Sequence, residues 1–322
     1  MRIKNVEIPN RIVLAPMAGY TNRSFRMIMK EFGAGLVYTE MISAQGLLYN
    51  NEKTLEMTKV APTEHPLATQ LFGGDISAVA AAAAYLDKNT AADIIDINMG
   101  CPVRKVLKAE SGCRLLTDPE KVYKMVQAVV DNVQKPVSVK IRAGWDHNSV
   151  NAQEIAQAIE KAGASLIAIH GRTKTDLYGG KVNLDYIKAV KDSVNIPVIG
   201  NGDIRSIEDA ERMFAHTGVD MIMIGRGSLG NPWLIRDLVD HFSGRTVQAP
   251  PTPKEKIGLC KKHFAYLLEE KGEKIAVLEM RSLAAWYVRG IEHNRDFKQR
   301  LINITKKEEL DELLERFLNE NL

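Results

Sequence analysis

The fold class is clearest from residues 197–227, PVIGNGDIRSIEDAERMFAHTGVDMIMIGRG. It begins with a short β-branched run at 197–199, continues with a helical pattern at 207–215, and reaches a second apolar run at Met221–Ile224. A strand, a helix and a second strand in this order are typical of a parallel sheet whose strands are joined by helices. The stretch therefore predicts one repeating unit of an α/β protein.

The same alternation covers the chain from its start to residue 242. Short apolar runs predict strands at 12–14, 36–38, 67–71, 94–97, 137–141, 166–169, 197–199 and 221–224. Helical patterns lie between them at 24–31, 78–86, 119–132, 152–162, 184–191, 207–215 and 232–240. No Gly-rich dinucleotide fingerprint follows the first strand, which favours a (β/α)8 TIM barrel over a doubly wound sheet. We therefore expect residues 1–242 to form the barrel.

A Pro- and Gly-containing segment at 243–253 interrupts this alternation and predicts a linker. Beyond it, the segments 254–271, 275–291 and 306–321 have helical apolar spacing and no strand signals. We expect residues 254–322 to form a small all-α helical-bundle domain.

Composition limits the class of protein. The apolar fraction of 45% and the charged fraction of 26% are ordinary for a globular protein of 322 residues. The apolar runs are too short to cross a membrane and no leader pattern begins the chain, so we expect a cytoplasmic protein. Cys101, Cys113 and Cys260 are too few for a disulfide framework and lack zinc-site spacing, so we expect no metal. A net charge of +3 does not by itself indicate a nucleic-acid binder.

The residues that follow each strand are the candidates for chemistry, because barrel active sites lie at the carboxyl ends of the strands. Strand alternation puts Ser138 and Lys140 on one face of the fifth strand, so Lys140 points into the barrel mouth. An unpaired ammonium is costly there. Lys140 therefore needs either an anionic ligand or a structural partner, for which Asp96 and Glu40 are available.

Glycine-containing loops follow the last two predicted strands, as Asn201-Gly202-Asp203 and Gly225-Arg226-Gly227. Free backbone donors with a nearby arginine after strands seven and eight form the usual barrel phosphate site. Glycine also simply permits tight turns. Because both pairs occur at the expected strands, they predict a phosphate-bearing cofactor.

Two further side chains at this end have more than one interpretation. His170 is either a structural residue or, with Lys140 and Gln70, a hydrogen-bond partner for a flat heterocycle or a substrate carbonyl. Cys101 is either a small apolar filler or a proton donor, because a thiol with a pKa of about 8.5 is mostly protonated at neutral pH. We expect Cys113 to be a packing residue.

Several motifs resemble those of the tRNA-dihydrouridine synthase family. DINMGCPVRKV, residues 96–106, is similar to the family's catalytic loop, and APMAGYTNRSFR, residues 15–26, to its opening segment. KIRAGW from Lys140, HGRT from His170, NGDI from Asn201 and IGRG from Ile224 match further family blocks in the same order. The resemblance spans the barrel, continues weakly into the helical tail and is closest to the bacterial B subgroup.

The resemblance implies an activity and its residues. NADPH would reduce FMN, a hydride would pass from the flavin to C6 of a uracil base in tRNA, and Cys101 would protonate C5. Asn98, Arg142 and His170 would orient the base. The residues implied to hold FMN are Pro16, Met17, Ala18, Gln70, Lys140, His170, Asn201, Gly202, Asp203, Gly225 and Arg226.

A base in folded RNA must be extruded before it can enter a barrel mouth, which requires an RNA-gripping surface. Cations beside the mouth and in the helical tail predict it: Arg104, Lys105, Lys108, Arg172, Arg281, Arg289, Arg295 and Lys298. The first three are equally consistent with a solvated loop. Trp286 and Tyr287 lie among the others and are candidates for RNA contacts or for the core of the bundle.

Two other functions are compatible with parts of the sequence. An FMN barrel acting on a free pyrimidine, like a dihydroorotate dehydrogenase, would require neither a helical domain nor the basic residues at 104–108. A catalytically inactive RNA-binding factor would have a broken site, whereas Cys101, Lys140 and His170 are all present. We expect a monomer; the sequence distinguishes neither the uridine position nor NADPH from NADH.

Overall fold

The computed structural model describes residues 1–321 and contains a ring of eight parallel strands. Residues 1–321 contain eleven strands: β1 Arg2–Ile3, β2 Val6–Glu7, β3 Ile12–Leu14, β4 Val37–Tyr38, β5 Ile42–Ser43, β6 Leu67–Phe72, β7 Ile94–Met99, β8 Val137–Arg142, β9 Leu166–His170, β10 Val198–Asn201 and β11 Met221–Ile224. The ring consists of β3, β4 and β6 to β11. Pairing runs from β4 through β6 to β11 and on to β3, and a parallel bridge between Val13 and Leu36 closes the ring. The predicted TIM barrel is confirmed.

Helices follow the barrel strands and continue to Asn319. They are α1 Arg23–Glu31, α2 Ala44–Leu48, α3 Glu52–Glu56, α4 Ile76–Asn89, α5 Arg104–Lys108, α6 Pro119–Val130, α7 Ala152–Lys161, α8 Leu184–Ser193, α9 Ile207–Thr217, α10 Trp233–Phe242, α11 Pro253–Lys271, α12 Glu273–Tyr287, α13 Asn294–Leu301 and α14 Lys307–Asn319. The sequence patterns did not indicate α13, whose buried side chains are only Phe297 and Leu301. Within residues 1–321, no helix is long and apolar enough to cross a membrane.

Local side-chain chemistry fixes where several helices begin. Asp118 caps α6 by accepting a hydrogen bond from the Lys121 amide at 3.0 Å. Thr252 caps α11, and the Glu255 carboxylate accepts from the Thr252 amide at 2.7 Å in return. Pro253 is the first residue of α11, where a missing N–H costs nothing. The helix therefore begins at the residue we predicted as the last of the linker.

An N-terminal hairpin that the sequence patterns did not predict closes the lower end of the barrel. The antiparallel strands β1 and β2 are two residues each, too short to give a periodic signal. Ile3, Val6 and Ile8 are buried and belong to the same apolar cluster as Leu166 and Met221 of the barrel interior. The amino end of the barrel is thus a packed core, and the open space lies at the carboxyl end.

Residues 253–319, here called the helical region, pack directly against the barrel. The Ser24 amide donates to the Glu270 carboxylate at 2.8 Å, and the Asn22 side-chain amide donates to Glu279 at 3.0 Å. The backbone of Gly230, with φ +62°, lies so close to α12 that a Cβ there would be 2.3 Å from the Trp286 carbonyl carbon. Only glycine fits both the conformation and the contact.

We expect Gly230→Ala to destabilise the protein more than Gly244→Ala, a matched control with φ +69° and no atom within 4 Å of the added Cβ. The control loses about 1–2 kcal/mol of unfolding free energy because L residues disfavour this conformation. Gly230→Ala should lose a further amount of about 1–3 kcal/mol, the usual cost of overpacking, from the free energy of unfolding. Urea denaturation measures both losses, and equal values would contradict the close contact between barrel and helical region.

Candidate active site

A cavity of about 470 Å³ opens at the carboxyl end of the barrel. Its volume lies within the usual range for small-molecule sites, about 300–1,000 Å³. Most of the residues predicted to bind a cofactor or a base line it: Pro16, Met17, Ala18, Asn98, Cys101, Lys140, Arg142, His170, Asn201, Gly202, Asp203, Gly225 and Arg226. The exception is Gln70, which is fully buried behind Asn98 and hydrogen-bonds to it.

One end of the cavity has the donors of an anion site. Within residues 1–321, the backbone N–H groups of Gly202, Gly225 and Arg226 donate to no protein acceptor. At Gly202, φ is +137° and a Cβ would lie 2.5 Å from Val182, so the loop requires glycine there. The Arg226 guanidinium lies 3.6 Å from an Asp203 carboxylate oxygen and is half-exposed. Unbonded N–H groups beside a guanidinium suit a phosphate.

Lys140 points into the cavity, as strand alternation predicted. Its ammonium donates to the Asn201 side-chain oxygen at 3.2 Å, while the Asn201 amide nitrogen donates to the Met223 carbonyl. Glu40 accepts instead from the Gly19 amide, at 2.5 Å. Burial, with the charge of Arg142, lowers the pKa of Lys140 to about 8 although Asp96 opposes the shift. The amine is thus held without a hydrogen-bonded carboxylate and is suited to an accepting ligand.

Both buried arginines beside the cavity are held by carbonyl oxygens. Arg142 donates to the Gly100 carbonyl at 3.0 Å and to the Thr173 carbonyl at 2.8 Å. Arg172 donates to the carbonyls of Gly179 and Gly180 and to Asp203, each at 2.7 Å. Its side chain is only 2% exposed. Its donors order the loop after β9, and an RNA contact of Arg172 stays a prediction.

His170 ends β9 and is a neutral hydrogen-bonding group. Burial, together with the charges of Lys140 and Arg142, lowers its pKa well below the ordinary value. An Arg172 nitrogen lies 3.3 Å from His170 Nε2. Because a guanidinium only donates, Nε2 accepts and the proton is on Nδ1. The ring therefore presents a neutral N–H donor.

Cys101 follows β7 in a loop with a defined backbone. Its amide donates to the Asn98 side-chain oxygen at 3.0 Å, and its carbonyl accepts from the Cys113 amide at 3.1 Å. Burial raises the pKa of the Cys101 thiol, which stays protonated at neutral pH. Cys113 is fully buried with a pKa raised to about 12 by desolvation, in keeping with a packing role.

Comparison with known proteins identifies the family of this chain. Residues 13–322 match a family model described as dihydrouridine synthase (Dus). The chain belongs to this family. The tRNA-dihydrouridine synthase B of Pasteurella multocida is 40% identical over 99% of this chain and 96% of its own length. The protein of that name from Pseudomonas aeruginosa is 39% identical over 92% of this chain and 90% of its own length. A probable tRNA-dihydrouridine synthase of Rickettsia conorii is 36% identical over 92% of this chain and 90% of its own length.

The resemblance to the bacterial B subgroup is thus confirmed. Among solved structures, histamine dehydrogenase from Rhizobium sp. 4-9 has a TM-score of 0.59 at 15% identity. The match covers 76% of this chain and 47% of that chain, and it concerns the fold alone.

In this dihydrouridine synthase family member, Tyr178 also lines the cavity and was not predicted. Its ring is half-exposed, and the guanidinium carbons of Arg142 and Arg226 lie 5.4 Å and 5.7 Å from the ring centroid. The loop that carries it has no strand or helix, so periodicity gave no signal. An aromatic residue followed by Gly179-Gly180 was the only indication.

The helical region reaches the cavity through aromatic packing. Tyr20 lines the cavity and packs edge-on against Trp286, with ring centroids 6.5 Å apart. Tyr287 is buried, and its hydroxyl hydrogen-bonds to His263 at 3.1 Å. The alternative that places Tyr287 in the core of the helices is therefore confirmed.

The remaining predicted RNA cations divide into exposed and engaged side chains. Arg104, Lys105 and Lys108 are exposed on α5, immediately after the Cys101 loop. Arg289 and Arg295 are exposed and Lys298 is half-buried. Arg281 is half-buried and donates through two nitrogens to the Ile304 carbonyl. The Arg281 guanidinium holds the segment between α13 and α14, and an RNA contact of Arg281 stays a prediction.

We expect iodoacetamide to label Cys101 alone in the native protein, because Cys113 and Cys260 are fully buried. Labelling at pH 7 should be slower than that of free cysteine, because burial raises the Cys101 pKa. The rate should rise about tenfold per pH unit up to that pKa, since the thiolate is the nucleophile. Peptide mass spectrometry measures the three sites; fast labelling at pH 7 would contradict a protonated thiol.

Proposed function

We propose that this protein reduces the C5=C6 bond of uridines in tRNA to 5,6-dihydrouridine, with FMN as cofactor and NADPH as reductant. The observation that carries the proposal is the meeting of a protonated thiol, Cys101, with Lys140 and an anion-binding end in one cavity. A phosphate-bearing redox cofactor needs the anion-binding end, and saturation of a conjugated ring needs a proton source. Family membership supports the same reaction.

The residues of the cavity fit FMN. The unbonded N–H groups of Gly202, Gly225 and Arg226 would hold its phosphate. Lys140, with no hydrogen-bonded carboxylate, would meet acceptors of the flavin ring, and Met17 would provide apolar contact. Gln70 is further from the cavity than we expected and would act on a ligand through Asn98. Bound FMN would supply the hydride.

Side chains of the cavity would stabilise negative charge on the base and donate a proton to it. Hydride addition at C6 of uracil places negative charge on the carbonyl side of the ring, which cations and N–H donors stabilise. Arg142 and the Nδ1 proton of His170 would provide that stabilisation, and Asn98 would orient the base. The proton on Cys101 Sγ would pass to C5, and the burial that raises the pKa of the thiol keeps that proton available.

We expect the wild-type protein with NADPH to convert uridine in unmodified tRNA to a product carrying two more hydrogen atoms. Cys101→Ala should retain bound flavin but slow this reaction by about 10²–10⁴-fold, the usual contribution of a positioned acid. Nucleoside mass spectrometry and the flavin absorbance spectrum measure the two effects.

The outcomes of this experiment separate the candidate functions. Near-normal turnover in Cys101→Ala would remove the thiol from the proton-donor role. A yellow wild-type protein that reduces a free pyrimidine but no tRNA would favour the free-pyrimidine reductase. A colourless protein that FMN does not reconstitute would contradict the cofactor.

We propose residues 1–242 as the catalytic domain and residues 254–322 as the tRNA-binding domain. Arg289 and Arg295 of the helical region and the cations of α5 would contact phosphates while the target base enters the cavity. Trp286 packs on the cavity residue Tyr20, so RNA bound to this region would lie beside the cavity mouth.

We expect the double variant Arg289→Glu/Arg295→Glu to weaken tRNA binding by at least about tenfold and to reduce its salt dependence, since each phosphate contact releases counterions. Flavin binding should not change. The matched control is Arg212→Glu/Arg316→Glu, which reverses two exposed arginines paired with Asp209 and Glu320. Filter binding at several salt concentrations measures the tRNA affinity of each double variant and its salt dependence. Equal weakening in the two double variants would indicate net charge rather than a specific surface.

A further inference from the structure

A chain of side-chain hydrogen bonds runs beneath the cavity from Asp96 to the Cys101 loop. The Gln70 amide nitrogen donates to Asp96 Oδ2 at 2.6 Å, and the Asn98 amide nitrogen donates to Gln70 Oε1 at 2.9 Å. Asn98 Oδ1 then accepts from the backbone amides of Gly100, at 3.2 Å, and Cys101, at 3.0 Å. The chain therefore links a carboxylate to the backbone of the loop.

Chemistry fixes the direction of this chain at both ends. The backbone N–H groups of Gly100 and Cys101 can only donate, so Asn98 must turn its oxygen toward them and its nitrogen toward Gln70. At the other end an ionised carboxylate can only accept, so Gln70 must turn its nitrogen toward Asp96. Each amide therefore has one orientation that satisfies both neighbours.

The chain is enclosed, so water does not substitute for a lost partner. Asp96 and Gln70 are fully buried, and Asn98 is 6% exposed. Asp96 accepts a second hydrogen bond from the Ser138 hydroxyl, at 2.5 Å, which uses its other oxygen. A reversed amide in such surroundings leaves donors facing donors and costs the full desolvation of the unpaired groups.

We propose that Asp96 is a positioning residue that, through the amides of Gln70 and Asn98, fixes the backbone of the Cys101 loop. The proposal rests on the role of Cys101 given above. Arg142 holds the same loop from the cavity side, through the Gly100 carbonyl. The carbonyl of Gly100 and the amides of Gly100 and Cys101 are thus all engaged, which fixes where the thiol emerges.

Asp96→Asn tests the proposal because it conserves shape while adding a donor. If the new amide oxygen accepts from Ser138, the new amide nitrogen faces Gln70, which must turn its oxygen toward residue 96 and its nitrogen toward Asn98. Asn98 must then turn its own nitrogen toward the two backbone N–H groups. We expect Cys101 to be displaced and uridine reduction to fall by about 10²-fold, the usual effect of a 1 Å misplacement.

Gln70→Glu and the double variant make the test specific. Gln70→Glu alone places two carboxylates at the 2.6 Å contact, so it also disturbs the chain. In Asp96→Asn/Gln70→Glu the new asparagine nitrogen donates to the new carboxylate, which also accepts from Asn98. The bond between residues 96 and 70 is reversed, but Asn98 keeps its original orientation and the net charge is the same. We expect the double variant to recover at least about tenfold, or 1.4 kcal/mol, over either single variant.

Ser138→Ala is the matched control, because it removes a hydrogen bond to Asp96 without reversing the chain. It should lower the melting temperature but leave the loop in place. Two measurements on the resting protein report on the loop without turnover: amide hydrogen exchange of residues 97–103 and the rate of Cys101 alkylation. We expect Asp96→Asn to raise both by about tenfold or more, and Ser138→Ala to change neither by more than twofold.

These measurements distinguish failure of this proposal from failure of the proposed function. If the wild-type protein does not reduce uridine, the exchange and alkylation rates still report whether Asp96 fixes the loop. Equal loop rates in Asp96→Asn and Ser138→Ala would overturn the positioning role. So would a double variant whose loop rates do not return toward those of the wild-type protein.

Discussion

The pairing of β11 with β3 joins the last and first strands of the barrel, and the site depends on that contact. Ile222, Met223 and Ile224 lie beside Ile12, Val13 and Leu14 in parallel register, and the Ala15 amide donates to the Ile224 carbonyl at 2.9 Å. The first and last strands of the ring thereby end at the same rim, so Met17 lies against Gly225 across the cavity wall. Closure gathers loops separated by more than two hundred residues around one opening.

The closed ring also concentrates positive charge in a poorly hydrated space. The pKa of His170 is lowered by burial and by the charges of Lys140, Arg142, Arg172 and Arg226. The same burial raises the pKa of Cys101. The cavity therefore combines a demand for an anionic or accepting ligand with two groups that are neutral at physiological pH. These properties suit the proposed phosphate-bearing cofactor and the proposed proton donor.

Contacts with the barrel place the helical region beside this opening. Ser24 and Asn22, at the start of α1, donate to Glu270 and Glu279 of the helices, and Gly230 admits the backbone at Trp286. The loop that bears Tyr20 is thus bounded by the cavity on one side and by Trp286 on the other. The helical region therefore lies next to the opening that contains Cys101.

Local sequence patterns are sufficient to predict the eight strands, most helices, the inward direction of Lys140 and the cavity-lining positions of Cys101, His170 and the two glycine loops. These features follow from local periodicity and from the rule that barrel chemistry lies at strand ends. The partners of the long polar side chains depend on the tertiary structure. Arg172 and Arg281 donate to carbonyl groups, Gln70 lies behind the cavity wall, and Tyr178 enters the cavity from an irregular loop. A guanidinium or an amide bonds wherever the fold leaves an acceptor, and that choice has no periodic trace in the sequence.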